Sequence, residues 1–240
     1  MKGLAYFAIW LFWYWLPLKR GVQVTTISEF SRDELKRYVG EDLARGIRVI
    51  PNCVSGDFKF FPREFNPRSP KILQVGTSPN KNLDRVVEAL RGLDCELIVL
   101  GPVSDSQESL LSVSGIEYSH YAGLSRQEVV SHYVRADIVM FASLYEGFGL
   151  PILEANAVGR PVITSNRGPM PQVAGGAAIL VDPESALEIR QAVVSLINEP
   201  EQARLLVEKG VANVERYTPN AVAAQYESLY QEVFETSHAN

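Results

Sequence analysis

The chain has 240 residues, of which 46% are hydrophobic and 21% charged, with 17 Gly and 14 Pro, so it holds one large domain or two small ones and buries a sizeable core without crosslinks. That composition excludes a disordered chain, a fibre and a disulfide scaffold. A net charge of −5 excludes a general nucleic-acid binder, which needs a basic face, so any anionic ligand has to be held by local features.

Cys53, Cys95, His120, His132 and His238 are scattered without metal-ligand spacing or a disulfide framework. No metal site is expected, and the expected compartment is the reducing cytoplasm. From Gly3 to Leu18 there is no charge, and the stretch carries Tyr6, Phe7, Trp10, Phe12, Trp13, Tyr14 and Trp15. It is short for a membrane span, and Pro17–Leu–Lys–Arg20 follows it where a signal peptide would end in small residues. A buried or partner-facing helix is the plain expectation. The alternative is an interfacial anchor, with Trp at headgroup level and Lys19–Arg20 on anionic lipid, which would put the chain at the inner face of the membrane. Residues 3–18 are therefore the segment expected to support self-association, a partner subunit or a membrane surface.

Val22–Ser28 has the pattern of a strand, and Ser31–Arg–Asp–Glu34 that of a capping box opening a short helix to Gly40. Arg48–Ile50 is a brief strand stopped by Pro51–Asn52. Residues 57–70, with Pro62, Pro67 and Pro70 among phenylalanines, form a crossing segment. Regular alternation follows: strand Lys71–Val75, loop Gly76–Lys81, helix Asn82–Leu90, strand Glu96–Leu100, and a helix around Ser106–Leu111. Next come strand Ile116–Tyr118, a second capping box at Ser125–Arg–Gln–Glu128 leading a helix to Tyr133, strand Ile138–Phe141 and helix Pro151–Ala157. Strands Pro161–Thr164 and Ala178–Val181 precede helices near 184–198, 200–214 and 219–235. Short strands that are apolar on both faces and separated by helices predict an α/β fold with a doubly wound parallel sheet. Its ligand belongs in the crevice at the carboxyl ends of the strands. The expected division is residues 1–48, a sheet domain over 49–215, and a C-terminal helix over 216–240.

Glu146–Gly–Phe–Gly–Leu–Pro–Ile–Leu–Glu154 follows a strand and therefore lies at that edge. Gly147 and Gly149 permit a tight turn and close approach of a ligand, and Pro151 suits the first turn of a helix. The free N–H groups of that helix start would hold a phosphate. Glu146 on the loop and Glu154 in the first helical turn would then reach one ligand as acceptors for sugar and ribose hydroxyls. The plainer alternative has Glu154 favouring a helix N-terminus and Glu146 solvated.

These two carboxylates around Gly–Phe–Gly–Leu–Pro resemble the signature of retaining glycosyltransferases with two Rossmann-like domains (the GT-B type), most closely glycosyltransferase family 4, also described as glycosyl transferases group 1. Further segments resemble the family in the same order: Val24–Thr–Thr–Ile–Ser–Glu–Phe–Ser31, Val49–Ile–Pro–Asn52, Val75–Gly–Thr–Ser–Pro–Asn–Lys–Asn82 and Gly159–Arg–Pro–Val–Ile–Thr–Ser165. The resemblance covers residues 22–235 and falls mainly on the C-terminal, donor-binding half, leaving residues 1–48 as the remnant of an acceptor-binding domain. It implies that Glu146 is the catalytic residue, contacting the donor sugar, and that Glu154 accepts from the ribose. Gly147, Phe148, Gly149 and Leu150 would line sugar and diphosphate through their backbone, and Gly76, Thr77 and Lys81 would form the phosphate loop, with Lys81 on the leaving phosphates. Tyr121–Ala–Gly123–Leu would hold the nucleobase. Thr77 stands where many members carry Arg, and the spacing from Gly76 to Lys81 is one residue short.

The resemblance implies a metal-independent hexosyltransferase with no cofactor. Its donor would be a UDP-sugar, UDP-glucose first and GDP-mannose second, and its acceptor a glycan or lipid-linked precursor in polysaccharide assembly. A nucleotide-sugar-binding module, or one subunit of a split enzyme, is the rival. A receiver-type signalling domain shares the fold but needs an acidic cluster at the strand ends, and none follows Val75 or Leu100.

Overall fold

A computed structural model describes residues 2–238, with side chains described from Tyr6 onward apart from that of residue 237. The chain divides into two units: Val54–Pro219, and the described residues up to Cys53 together with those from Asn220.

In the first part of the chain α1 (Lys2–Ile9), a π-helical stretch Trp10–Trp15 and α2 (Leu16–Lys19) follow one another. β1 (Thr25–Thr26), α3 (Glu29–Val39), α4 (Glu41–Ala44) and β2 (Arg48–Val49) come next, and β1 pairs in parallel with β2. The strand expected over Val22–Ser28 shrinks to two residues, and the cap is Ser28 rather than Ser31. The Ser28 side chain accepts from the Ser31 N–H, so α3 starts earlier, and Glu34 pairs with Arg37 instead of reaching back. Val39, Ala44 and Ile47 form a small core with Leu18, Val24, Leu35 and Leu43. The indole N–H of Trp10 donates to the Tyr38 carbonyl at 2.7 Å. Most of the aromatic segment stays exposed, Trp13 to 77%. Among the described residues no helix is long and apolar enough to cross a membrane.

The second unit carries β3 (Lys71–Val75), α5 (Leu83–Leu90), β4 (Glu96–Leu100), α6 (Asp105–Ser112), β5 (Glu117–Tyr121), α7 (Arg126–Arg135) and β6 (Ile138–Phe141). It continues through α8 (Leu150–Val158), β7 (Val162–Ser165), α9 (Met170–Ala174), β8 (Ile179–Val181), α10 (Ala186–Asn198) and α11 (Pro200–Val214). The six strands are all parallel, in the order β5-β4-β3-β6-β7-β8. The expected α/β doubly wound sheet is therefore present. Side chains alternate between its faces, as the strand period of two dictates. Ile72, Leu97, Val99, Met140 and Ile163 meet α5, α10 and α11 on one side. Leu73, Ile98, Val139, Phe141 and Val162 meet α7, α8 and α9 on the other. Each such fully buried aliphatic side chain contributes about 1.5–3 kcal/mol.

The boundaries differ from the expected 49 and 215. Ile50 packs with Val222 and Leu229 of α12 (Pro219–His238), so it belongs with the chain termini and α12 does not stand alone. Val54 instead donates its N–H to the Tyr217 carbonyl at 2.9 Å, which closes the sheet unit on itself. Two short helices, α4 and α9, are additions to the expected elements. β5 runs on to Tyr121 because its backbone keeps pairing with β4 as far as Leu100.

Strand order reverses between β3 and β6, the first strand building outward one way and the second the other. The loops after these two strands therefore part and leave a crevice at their carboxyl ends. The loop after β3 is Gly76–Asn82 and the loop after β6 is Ala142–Gly149, the two segments the sequence singles out.

Candidate functional site

The loop after β3 is shaped by Gly76, whose φ of 91° is a left-handed conformation. Its N–H donates to the Leu100 carbonyl at 2.8 Å. A Cβ here would lie 2.9 Å from Lys81 Cγ, so the glycine leaves room for the lysine stem to fold back across it. Thr77 is buried: its hydroxyl donates to the Pro102 carbonyl and its own carbonyl accepts from Gln107 Nε2 at 2.8 Å. Thr77 thus fixes the loop from behind and does not turn its hydroxyl to the crevice. A groove lined by Gly76, Thr77, Gly101, Pro102 and Gln107 opens beside it.

Three amides that sequence reasoning missed stitch this loop in place. Gln74, fully buried in the central strand, donates to the carbonyls of Gly76 at 3.2 Å and Lys81 at 2.9 Å. Asn82 takes the left-handed region (φ 62°) and donates to the carbonyls of Ala142 at 3.0 Å and Pro183 at 2.7 Å. Asn80 accepts through its carbonyl from the Leu144 N–H at 2.8 Å and donates to the Tyr145 carbonyl at 3.1 Å and Glu146 Oε1 at 3.3 Å. Asn is the non-glycine residue that best tolerates the left-handed region, and a polar Gln inside an apolar strand is the one signal the sequence carried for Gln74.

Lys81 Nζ reaches Glu146 Oε1 at 2.6 Å. It also lies 4.7 Å over the Phe141 ring. The loops after the two switch-point strands so bring together the cation and the carboxylate that the family resemblance would assign to diphosphate and sugar.

Gly147 lies on the loop beyond Glu146, and Gly149 (φ 112°) caps α8. A Cβ at Gly149 would meet Ile152 Cδ1 at 3.1 Å and Phe141 at 3.6 Å. Phe148 is buried with its ring edge-on to Tyr217 at 6.0 Å, so only its backbone is available to a ligand. Leu150 opens the helix and Pro151 sits in its first turn, leaving amide N–H groups at a positive dipole end.

Glu154 lies one residue further into α8 than expected, because the helix starts at Leu150 and not at Pro151. Its Oε2 accepts from the Tyr133 hydroxyl at 2.6 Å. Its Oε1 is 3.6 Å from Arg126 Nη1. Burial pushes the Glu154 carboxyl up, against the opposing pull of the Tyr133 hydrogen bond and the Arg126 charge. Burial, and then the neighbouring Glu154 charge, push the Tyr133 hydroxyl well above its ordinary value. Tyr133 and Arg126 were not among the residues the sequence singled out.

At the β5 end, the Tyr121 carbonyl accepts from the Gly101 N–H at 2.8 Å. That oxygen keeps a second lone pair. Tyr121 also brings its ring, tilted by 42° with its centroid 4.4 Å from that of His132. Gly123 turns the chain with φ 68° towards α7. Among the described residues no group of three or more His, Cys, Asp or Glu is placed to hold a metal ion.

Residues 56–212 match the family model described as glycosyl transferases group 1. The MMP alpha-(1->4)-mannosyltransferase of Mycolicibacterium hassiacum is 30% identical over 200 residues, which is 77% of this chain and 48% of that protein. The O-antigen chain mannosyltransferase B of Escherichia coli is 26% identical over 228 residues, 87% of this chain and 60% of that protein. The chain thus spans about half to three fifths of the curated relatives it matches. Among solved structures, a glycosyltransferase from Rickettsia africae superposes with a TM-score of 0.79 at 21% identity over 95% of this chain and 67% of that one. Anabaena Alr3699/HepE, solved in complex with UDP and glucose, superposes with a TM-score of 0.77 at 16% identity over 88% of this chain and 63% of that one. These likenesses establish the shared Rossmann-like fold.

Proposed function

The chain belongs to the glycosyl transferases group 1 family, and we propose that it forms the C-terminal, donor-binding part of a retaining, metal-independent glycosyltransferase of the GT-B type. The observation that carries this reading is the meeting of Lys81 and Glu146 at 2.6 Å across the switch-point crevice, beside the start of α8. A nucleotide-diphospho-sugar seated there has its diphosphate at Lys81 and the α8 N–H groups, its sugar at Glu146 and its ribose at Glu154, with the base towards Tyr121–Gly123.

As the glycosidic bond breaks, negative charge grows on the leaving diphosphate. Lys81 and the helix start lie where that charge develops, so they stabilise the transition state more than the ground state. Glu146 faces the sugar and stabilises the positive charge that develops there. The acceptor hydroxyl, from a glycan or lipid-linked precursor, arrives on the same face as the departing phosphate, which takes its proton.

UDP-glucose is the first donor in this reading and GDP-mannose the second. The UDP-glucose complex of Anabaena Alr3699/HepE supports the former, and the mannosyltransferase names of two relatives support the latter. The binding-module reading, in which transfer needs a partner chain, is the alternative. The exposed aromatic face around Trp13 supports a contact with a second copy, a partner or the inner membrane surface. A thermal-shift panel of UDP, GDP, ADP and their sugars tests donor binding, since a ligand at 100 times its Kd stabilises by about 2.7 kcal/mol. A flat panel overturns the donor site; binding without transfer, restored by an added acceptor-domain partner, selects the binding-module form.

A further inference from the structure

We propose that Tyr133 is a positioning residue for the donor: its hydroxyl holds one carboxylate oxygen of Glu154 so that the other is the one presented to the ribose hydroxyls. The inference rests on the reading of Glu154 as the ribose acceptor.

Arg126 and Tyr133 stand seven residues apart on α7, two helical turns, and so share the face turned to α8. The Tyr133 ring is fully buried and meets the Phe58 ring edge-on at 5.2 Å and 78°. The Arg126 guanidinium lies 4.6 Å over the other part of that stack, on Phe58, and reaches Asp57 Oδ2 at 3.4 Å. The Tyr133 ring is thereby locked, and its hydroxyl has one fixed direction.

A buried phenol needs an acceptor, and a backbone carbonyl would serve a purely structural tyrosine. Here the acceptor is Glu154 Oε2, on a side chain that retains 12% of its exposure. Oε1 accepts no hydrogen bond among the described residues; its nearest cation, Arg126 Nη1 at 3.6 Å, lies beyond hydrogen-bond length. One oxygen is committed and one is on offer. Fixing a glutamate side chain in advance removes part of its rotamer entropy from the cost of binding.

The hydroxyl also acts on the charge of Glu154. Burial favours the protonated carboxyl, and the Tyr133 hydrogen bond and Arg126 act against it. The groups facing this carboxylate are Tyr133 and Arg126 from α7, with Asp57 behind Arg126. Deleting the Tyr133 hydroxyl leaves Glu154 to protonate at higher pH, and a protonated carboxyl accepts less well from a vicinal diol.

The test is calorimetric titration of UDP and GDP into the full chain between about pH 5 and 8, with the tighter nucleotide carried through all variants. Tyr133→Phe keeps the ring and deletes the hydroxyl. It should weaken binding by about two- to tenfold, have no effect in a Glu154→Ala background, and move the acid limb of affinity to higher pH. Glu154→Gln keeps an acceptor for Tyr133 but does not titrate, so only the part of the limb due to phosphate ionisation, common to every variant, should remain. Wild-type affinity in Tyr133→Phe, an equal loss in the Glu154→Ala background, an unmoved limb, or a limb in Glu154→Gln as steep as that of wild type overturns the positioning role. Wild-type affinity in Glu154→Ala, or no binding of either nucleotide, overturns the ribose assignment itself, and the role of Tyr133 falls with it.

Discussion

Lys81 and Glu146 form an ion pair, Nζ to Oε1 at 2.6 Å, with side chains only 21% and 15% exposed. The two groups proposed for opposite ends of the donor's reacting bond are thus each other's partner. In the proposed donor site, a diphosphate would compete with Glu146 for Lys81 and so leave Glu146 to the sugar.

Glu146→Gln should therefore bind bare UDP more tightly than wild type, by about two- to fivefold, the worth of a part-exposed ion pair. Transfer should fall, because the sugar loses its carboxylate. Calorimetry with UDP and a transfer assay read the two effects separately. A loss of UDP affinity would show that Glu146 supports the nucleotide rather than competing for Lys81.

Lys81→Ala should cut UDP affinity about tenfold or more, the scale of a charge-assisted hydrogen bond, with little change in melting temperature. Glu146 keeps the Asn80 amide at 3.3 Å as a partner, so the truncation strands no bare carboxylate. Unchanged UDP binding removes Lys81 from the phosphate site.

Gly76→Ala separates loop shape from loop chemistry. The φ of 91° penalises any side chain, and the new Cβ would sit 2.9 Å from Lys81 Cγ. Stability should fall by about 1–2 kcal/mol, and UDP affinity with it as Lys81 is pushed aside. Gly92→Ala is the control, since its φ of 71° carries the same backbone penalty with open space around it. That variant should melt lower and bind UDP as wild type does.

The sheet was legible because its strands are apolar on both faces: Lys71–Val75, Glu96–Leu100 and Ile138–Phe141 have the bounds that pattern gives. The position of Lys81 and Glu146 was legible for a related reason, since each follows such a strand. Two things were not legible. Ser28 outcompetes Ser31 as a cap because its extended backbone aims its side chain at the Ser31 N–H, a matter of backbone conformation rather than residue type. Thr77, Tyr133 and Arg126 owe their roles to partners 25, 21 and 28 residues away, Pro102 and, for the last two, Glu154. Local spacing carries nothing about such partners.

His132 should make stability depend on pH. It is buried against Tyr121, and burial first, then the Arg135 charge, hold its imidazole below the ordinary value, with Glu128 opposing. The unfolded chain therefore takes up a proton near its ordinary pKa of about 6.5 before the folded chain does. Stability is fully present above that pH and falls as pH drops through it towards the lower folded value. His132→Gln should flatten the melting-temperature profile across that window, and an unchanged slope would exclude His132 as its source.

Asp137 tests whether the donor site is confined to the carboxyl edge of the sheet, because it lies at the opposite edge. Its side chain is fully buried and accepts from Arg63 Nε at 2.8 Å, Arg63 Nη2 at 3.3 Å and the Lys71 N–H at 2.9 Å. Asp137→Ala would leave that N–H without its acceptor and the Arg63 charge unpaired beside buried Arg160, whose own pKa is held down to about 10 by burial and by Arg63. Leaving a buried donor without its acceptor costs about 1–3 kcal/mol, and Arg63, 31% exposed, keeps part of its hydration, so the melting temperature should drop. Asp137→Asn keeps an oxygen for Lys71 and should lose less. In the fraction of either variant that stays folded, UDP affinity should match wild type, since no residue of the Gly76–Asn82 or Ala142–Gly149 loops is touched. A selective loss of UDP binding in a fully folded Asp137→Asn chain would place part of the donor site at the amino edge.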